Sequence, residues 1–474
     1  MTLGKNQHKW SLVLLLLIAA CGCRDSKPTE IPAVGSTMSA EELEALRKAP
    51  LRLLFVGSPA LAEELKIQFE GRGGVALETT VIDEAQWATT KNETLDLHDV
   101  LLVPPDRLAP LVAEGKLLQF PTQFLDKWAH SHWASIDRRI GRVQSNTFGI
   151  SWGTPLSAVL ANPSFTDGTG SKVQVPNTWS EWQDAAEQDR QAGRPLRWVE
   201  SLVGNHAAEA LLLRAASLAK SQSQSDVFYA RGEGIPRLNS PPFIQAMNDM
   251  KATYGPSVAE LKTVTHQELI KKLQAGEIAG ALMPVPRLDD VAQGVSSLVL
   301  TPPPGSTRFY DFFDQTWSDR STGPFRTQIS GLSGRVICVM RRTRKSEAAF
   351  RLTELLISSP TAETLAPLQE KILIARPDQW NNVSQWAGRQ YSVEATDKIR
   401  EIWNLANDDV QGGCEFFPAL PGNQERLREL TEAVWHVLEN RKDPAAALED
   451  CQQAWIEIGK KNGPPDPLTL LQND

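Results

Sequence analysis

The stretch "LRLLFVGSPALAEELKIQFEGRGG", residues 51–74, decides the fold. Leu51 to Val56 is an unbroken apolar run, the pattern of a strand covered on both faces. Gly57 ends it, Ser58 suits a helix cap, and Pro59 suits the first helical position. Leu61, Leu65 and Phe69 then recur on one helical face, and Gly71 stops the helix. A second strand is expected over Val75–Ile82. A third, Asp99–Val103, runs into Pro104-Pro105 and a helix ending near Gly115. This alternation of strand and helix builds a parallel sheet with crossover helices.

The same grammar continues downstream. "TWSE" (residues 178–181) and "THQE" (residues 265–268) satisfy the S/T-x-x-E capping box. Ser240-Pro241-Pro242 and Asp443-Pro444 place a cap before proline. "GEIAGALMPVP" (residues 276–286) reads as a strand ending in prolines. From Ser346 onward the spacing is mainly helical, over Ser346–Ser358, Gln424–Glu439 and Ala445–Lys460. No internal repeat is visible.

The N-terminus has a different character. Leu12 to Cys21 is a ten-residue apolar run preceded by Lys5 and Lys9, which is the layout of a secretory signal and too short to span a bilayer. Its end, Ile18-Ala19-Ala20-Cys21, resembles the lipobox of bacterial lipoproteins. That resemblance implies cleavage before Cys21, lipid on its sulfur and stable anchoring by two or more acyl chains. Residues 24–39 then read as a linker to the globular body.

The 474 residues carry a formal charge of −8, becoming −10 once Lys5 and Lys9 leave with the signal. With no long Lys/Arg run, this argues against a nucleic-acid partner. The densest basic cluster, "RRTRK" (residues 341–345), reads as a solvated loop or helix start. Five cysteines are few for an exported chain. Cys338 falls in an apolar strand-like run, and a Cys414–Cys451 bridge stays open.

Six segments in order resemble the family 1 extracellular solute-binding proteins of ABC importers. They are "DVLLVPPDRLAPLVAEGKLLQFP" (residues 99–121), "TFGISWGTPLSAVLAN" (147–162), "VPNTWSEWQDAAE" (175–187), "ELIKKLQAGEIAGALMPVP" (268–286), "GLSGRVICVMRRTRKSEAAFRLTELLISSPTAETLAP" (331–367) and "AVWHVLENRKDPAAALEDCQQAWIEI" (433–458). The likeness spans roughly residues 50 to 460. It departs from the family pattern at Ser157–Asn162, where a tyrosine-rich strand is usual, and at Pro284-Val285-Pro286, where a tryptophan often follows.

The resemblance implies an α/β fold of two lobes (type II periplasmic-binding-protein fold), each a mixed, mostly parallel sheet flanked by helices, with a helical C-terminal region. The implied organisation is a signal over 1–20, a tether over 21–49, and a first lobe over 50–153. A second lobe follows over 154–283, with a return to the first over 284–332 and to the second over 333–474. The chain would cross near Trp152–Pro155, again near Pro284–Pro286, and again near Gly331–Val339. The lobes would close on a ligand by hinge motion.

In such a fold, ligands meet strand ends and helix N-termini facing the cleft. Ser58 is the first such position, as a ligand donor or simply as a cap. Fourteen tryptophans against four tyrosines suggest sugar rings stacked on indole. Trp87, Trp152, Trp198, Trp317, Trp380 and Trp386 lie near segment ends, with Trp152 in the crossing itself. Trp179, Trp182, Trp435 and Trp455 read as core. Asp83, Glu200, Arg287 and Asp311 are candidate polar contacts or solvated charges. The ligand-binding set is Ser58, Trp87, Trp152, Arg287 and Trp380, with Cys21 as the lipidation site.

No G-x-S-x-G elbow, H-E-x-x-H, Walker A loop, EF-hand spacing or C-x-x-C pair occurs, and "SGLSG" (residues 330–334) lacks the elbow's spacing. His130 and His132 lack the neighbouring ligands a metal requires. The expectation is therefore a non-enzymatic, monomeric receptor without cofactor or metal. It would be exported and lipid-anchored, and would deliver a small solute, a sugar, to ABC permease subunits. The alternative is a sensor or envelope interaction module of the same fold.

Overall fold

β1 (Leu51–Val56) is buried at every residue except Arg52, and Ser58 caps the following helix α1 (Pro59–Gly71) by accepting from Leu61 N at 3.3 Å. The buried face of α1 is Leu61, Ala62, Leu65 and Phe69. β2 (Leu77–Ile82) and β3 (Val100–Val103) pair in parallel with β1 on its two sides. The opening stretch thus folds as its apolar pattern requires. The computed structural model describes residues 49–462 apart from 73–74, 129–138, 144–145, 168–169, 221–226, 231–233, 286–297, 366–372, 375–392, 407–411 and 419. Cys21 and the signal lie outside the described residues.

β4 (Gly149–Pro155) is buried throughout, and only Leu156 separates it from β5 (Ser157–Ala161). The chain changes sheets at that residue. It then builds α2 (Trp179–Gln191), β6 (Trp198–Glu200), α3 (His206–Ala219), α4 (Pro241–Tyr254), α5 (His266–Gln274), β7 (Gly280–Pro284) and β8 (Val299–Thr301). Next come the hairpin β9 (Arg308–Asp311) and β10 (Thr316–Asp319), then β11 (Arg326–Ser330), β12 (Arg335–Val339), α6 (Ser346–Ile357) and β13 (Leu373–Ile374). The C-terminal elements are α7 (Val393–Ala406), β14 (Gly412–Phe416), α8 (Asn423–Leu438) and α9 (Pro444–Asn462).

The first sheet has the order β13-β4-β12-β3-β1-β2 and the second β8-β5-β7-β6, while β11 pairs in parallel with β14. β6 runs parallel to β7; β5 is antiparallel to both β7 and β8. The antiparallel members are the crossing strands β4, β5 and β12 and their neighbours, which gives both sheets their mixed character.

The sheets belong to separate cores. The first lobe packs β1, β3, β4 and β12 against α1 and α6. The second packs β5 and β7 with α3, α4, α7, α8 and α9. Strand pairing reassigns two segments. The chain does not rejoin the first lobe near Pro284–Pro286, because β8 pairs with β5 in the second sheet. Nor does 333–474 belong wholly to the second lobe. β12 lies between β3 and β4, and Ala349, Leu352, Leu355, Leu356 and Ile357 of α6 fill the first core. An apolar run such as Val336–Val339 of β12 can sit in either sheet, and its own sequence does not say which.

The local signals hold with two variations: Ser240 precedes α4 without capping it, its hydroxyl donating back to Arg237 O at 2.6 Å, and the box at residues 178–181 is half formed. Thr265 and Glu268 form the full capping box. Thr178 accepts from Glu181 N, but the Glu181 carboxylate turns to Asn177 N. Cys338, Cys414 and Cys451 are free thiols, so Cys414 and Cys451 are not bridged. No helix among the described residues is long and apolar enough to cross a membrane.

One buried ion pair anchors the second lobe behind β6. Arg214 of α3, 1 % exposed, meets Glu200 fork to fork at 2.6 and 3.0 Å, and its guanidinium lies 4.1 Å over Trp179. Tyr254 bridges Arg214 and Trp182 through its hydroxyl, and burial together with the Glu200 charge holds that hydroxyl un-ionised far above its ordinary range. Arg214→Met strands the Glu200 carboxylate and should cost about 3–5 kcal/mol, read by urea denaturation. At Gly280 an added Cβ would lie 2.1 Å from the Trp198 ring. Gly280→Ala should therefore cost about 1–3 kcal/mol through overpacking, lowering the denaturation midpoint without changing its slope.

Candidate functional site

Parallel strands β6 and β7 end side by side, and the chain beyond each strand end is where α/β sheets hold ligands. A recess of about 70 Å³ opens there. Its floor is Glu200, Ser201, Leu282, Met283 and Pro284 at the two strand ends. One wall is the N-terminal half of α3 and the start of α5, with His206, Glu209, Ala210, Leu213 and His266. The other is the crossing segments, with Pro155, Ser157, Ile329, Leu332 and Ser333.

The two crossings run alongside one another. The first passes through Leu156; the second is Gly331–Gly334, between β11 and β12. The Gln328 side chain brackets Ser157, accepting from its N at 2.8 Å and donating to its O at 2.9 Å. Gly334 has φ 110°, and a Cβ there would lie 2.4 Å from the carbonyl oxygen of Gly153, itself at φ 143°. Backbone meets backbone at a spacing no side chain permits, and two torsionally permissive residues face each other where the lobes join. Arg335 then fastens the hinge to the first lobe, donating from Nε to Val56 O at 2.7 Å and from Nη2 to Glu84 Oε1 at 3.1 Å.

The recess chemistry is carboxylate and imidazole. His206 Nδ1 donates to Glu209 Oε2 at 3.0 Å, and the His206 and His266 rings have centroids 4.4 Å apart. Glu200 is committed to Arg214 from behind. Among the described residues, no three His, Cys, Asp or Glu side chains gather closely enough to hold a metal ion.

The lobes also touch away from the hinge. Gln424 Nε2, at the start of α8, donates to Asp106 Oδ2 at 2.5 Å, and Trp87 Nε1 donates to Asp106 Oδ1 at 2.9 Å. Burial pushes the Asp106 carboxyl above its ordinary range, against the Trp87 hydrogen bond, the Arg107 charge and the Gln424 amide. Arg107 lies 4.4 Å over the Trp87 ring and donates to the carbonyls of Trp87 and Thr90.

These contacts place the residues singled out in the sequence. Ser58 caps α1, and Asp83 caps the short helix Glu84–Thr89. Trp87, 2 % exposed, backs the interlobe contact and offers no open ring face. Trp152, 5 % exposed, lies in the first core with its Nε1 donating to Leu356 O at 3.1 Å. It is not on the recess because β4 points it inward before the crossing. Trp198 is core, Trp317 packs against Tyr310 and Arg308, and Asp311 accepts from the backbone of Phe313 and Asp314. Of the candidates among the described residues, only Glu200 lines the recess. Trp179, Trp182 and Trp455 are buried and Trp435 half-buried, as core residues. Arg287, Trp380, Trp386, His130 and His132 lie outside the described residues. The sequence reading passed over His206, Glu209 and His266. Their signal was available: "VESLVGNHAAE" (residues 199–209) is another strand end followed by a helix start, as at Gly57-Ser58-Pro59.

No protein-family profile matches the chain, and no curated sequence is similar to it. Solved structures are similar. The sugar-binding protein MalE from Xanthomonas citri superposes with a TM-score of 0.67 at 13% identity, covering 87% of this chain and 98% of that one. An ABC transporter solute-binding protein from Agrobacterium radiobacter, in complex with ribitol, gives 0.65 at 16% identity over 87% and 100%. An ABC substrate-binding protein from Listeria monocytogenes, in complex with cycloalternan, gives 0.65 at 13% identity over 87% and 98%. The chain therefore has the two-lobe fold of the ABC solute-binding proteins.

Proposed function

We propose that this chain is an exported solute receptor that takes a small hydroxyl-rich molecule, of the carbohydrate or polyol class, between its lobes and delivers it to an ABC permease. The observation that carries this reading is the recess itself, at paired strand ends and bounded by the two crossings that join the lobes. The sugar-binding and ribitol-bound neighbours support the ligand class. The mechanism is differential binding: solute held by both lobes favours the closed arrangement over the open one, and the closed arrangement is what a permease engages. Cys21, after the lipobox-like Ile18-Ala19-Ala20, would hold the receptor at the membrane by its lipid.

A thermal-shift screen of the purified protein against sugars and polyols tests the capture step. A ligand at a hundredfold excess over its Kd should add about 2.7 kcal/mol of stability; no shift with any of them refutes the carbohydrate class. Cys21→Ser should abolish incorporation of labelled fatty acid in the producing cell, and unchanged labelling would remove the anchor.

The interlobe contact gives a further test. Gln424→Ala should shift the unliganded protein toward the open form, seen as a larger radius of gyration in solution scattering. The sign of its pH dependence follows from Asp106. A carboxyl raised on closure holds its proton more tightly in the closed form, so closure strengthens as pH falls from neutral through the raised pKa. The gain levels off below the ordinary carboxylate pKa. Asp106→Asn should flatten that dependence.

A further inference from the structure

We infer that the recess selects a solute bearing a protonated amine, an amino sugar or amino polyol, with Glu209 as the residue that reads the amine. This rests on the solute-capture reading above and deepens it. Among the described residues lining the recess, the charged side chains are Glu200 and Glu209, and no lysine or arginine is part of that lining. Glu200 is neutralised by Arg214. Glu209 is not neutralised in this way: a carboxylate has about four acceptor positions, and His206 takes one of them.

Among the described lining residues no lysine or arginine answers an anionic solute. The helix N-termini at the recess would ordinarily attract one. Here, however, α3 carries Glu209 in its first turn and α5 carries Glu268, which closes the capping box with Thr265. The positive helix ends already face carboxylates of the chain itself.

A neutral sugar also lacks its usual platform, since no tryptophan, tyrosine or phenylalanine is among the described lining residues. The flat faces there are the imidazoles of His206 and His266, 4.4 Å apart. The hydroxyls of Ser157 and Ser333 line it for the solute's own hydroxyl groups, and Ser201, which donates to Val264 O at 3.0 Å, keeps its acceptor positions. An ammonium on such a solute would make a charge-assisted hydrogen bond to Glu209, roughly twice as strong as a neutral one.

The test is a thermal-shift and calorimetric panel on the full protein with glucose, galactose, ribitol, glucosamine, galactosamine, glucuronate and galacturonate. The expected result is that at least one hexosamine binds about tenfold more tightly than its parent hexose, a preference of the size a charged hydrogen bond adds. Glu209→Gln should erase that preference, read as the ratio of hexosamine to hexose affinity within the variant, and Glu209→Asp should restore part of it. The unliganded melting temperature of each variant reports whether it has folded, and the wild-type panel decides the matter by itself. Hexoses or hexuronates that match or exceed the hexosamines would overturn this inference and leave solute capture standing. Silence across the whole panel would take down both.

Discussion

The structure turns on a close approach of two backbones. Gly153 and Gly334 bring the first and second crossings together with no room for a Cβ, and both lobes are built outward from that seam. β4 and β12 are neighbours in the first sheet, and each continues directly into the second lobe. Rotation of one lobe against the other must therefore be taken up by torsions at Leu156 and Gly331–Gly334, since β4 and β12 are themselves buried and paired. Gln328 fixes one side of the seam by holding both backbone groups of Ser157, and Arg335 fixes the other by reaching Val56 O. The hinge is narrow because the strands on either side are rigid.

That geometry explains why the recess lies where it does. Strand ends and helix starts occur at several places around both sheets. Only those beside the seam face both lobes, so a solute there can sense whether the lobes are apart or together. The Asp106–Gln424 hydrogen bond works on the same motion from farther out. A partly desolvated carboxylate accepting two N–H groups is close to balanced between its burial cost and its hydrogen bonds. A contact of that kind can favour closure without making it irreversible.

Most of the fold was legible in the sequence because its signals are local. Leu51–Val56, the Ser58 cap and the Thr265–Glu268 box are each decided within a few residues, whereas the crossing at residues 147–162 was read from the family resemblance. Lobe membership of β12 was not legible, since an apolar strand buried on both faces carries no label for its sheet. The recess was missed for a related reason. His206, Glu209 and His266 come from two helix starts sixty residues apart, and only the parallel pairing of β6 with β7 brings them together.

The described tryptophans show a second use for indoles. Fourteen indoles suggested stacking platforms, yet burial of an indole also requires a partner for its N–H. Trp87 reaches Asp106, Trp152 reaches Leu356 O, Trp179 reaches Ser217, Trp182 reaches Tyr254, and Trp455 reaches Arg426 O. Each bond joins different elements of one lobe, so these indoles act as cross-links between helices, strands and loops. Each would contribute about 0.5–1.5 kcal/mol from the hydrogen bond in addition to its buried area. With their rings buried as well, these five indoles present no face to a solute. Recognition among the described residues of the recess then falls to carboxylate, imidazole and hydroxyl groups, which read charge and hydrogen-bond direction more sharply than ring shape.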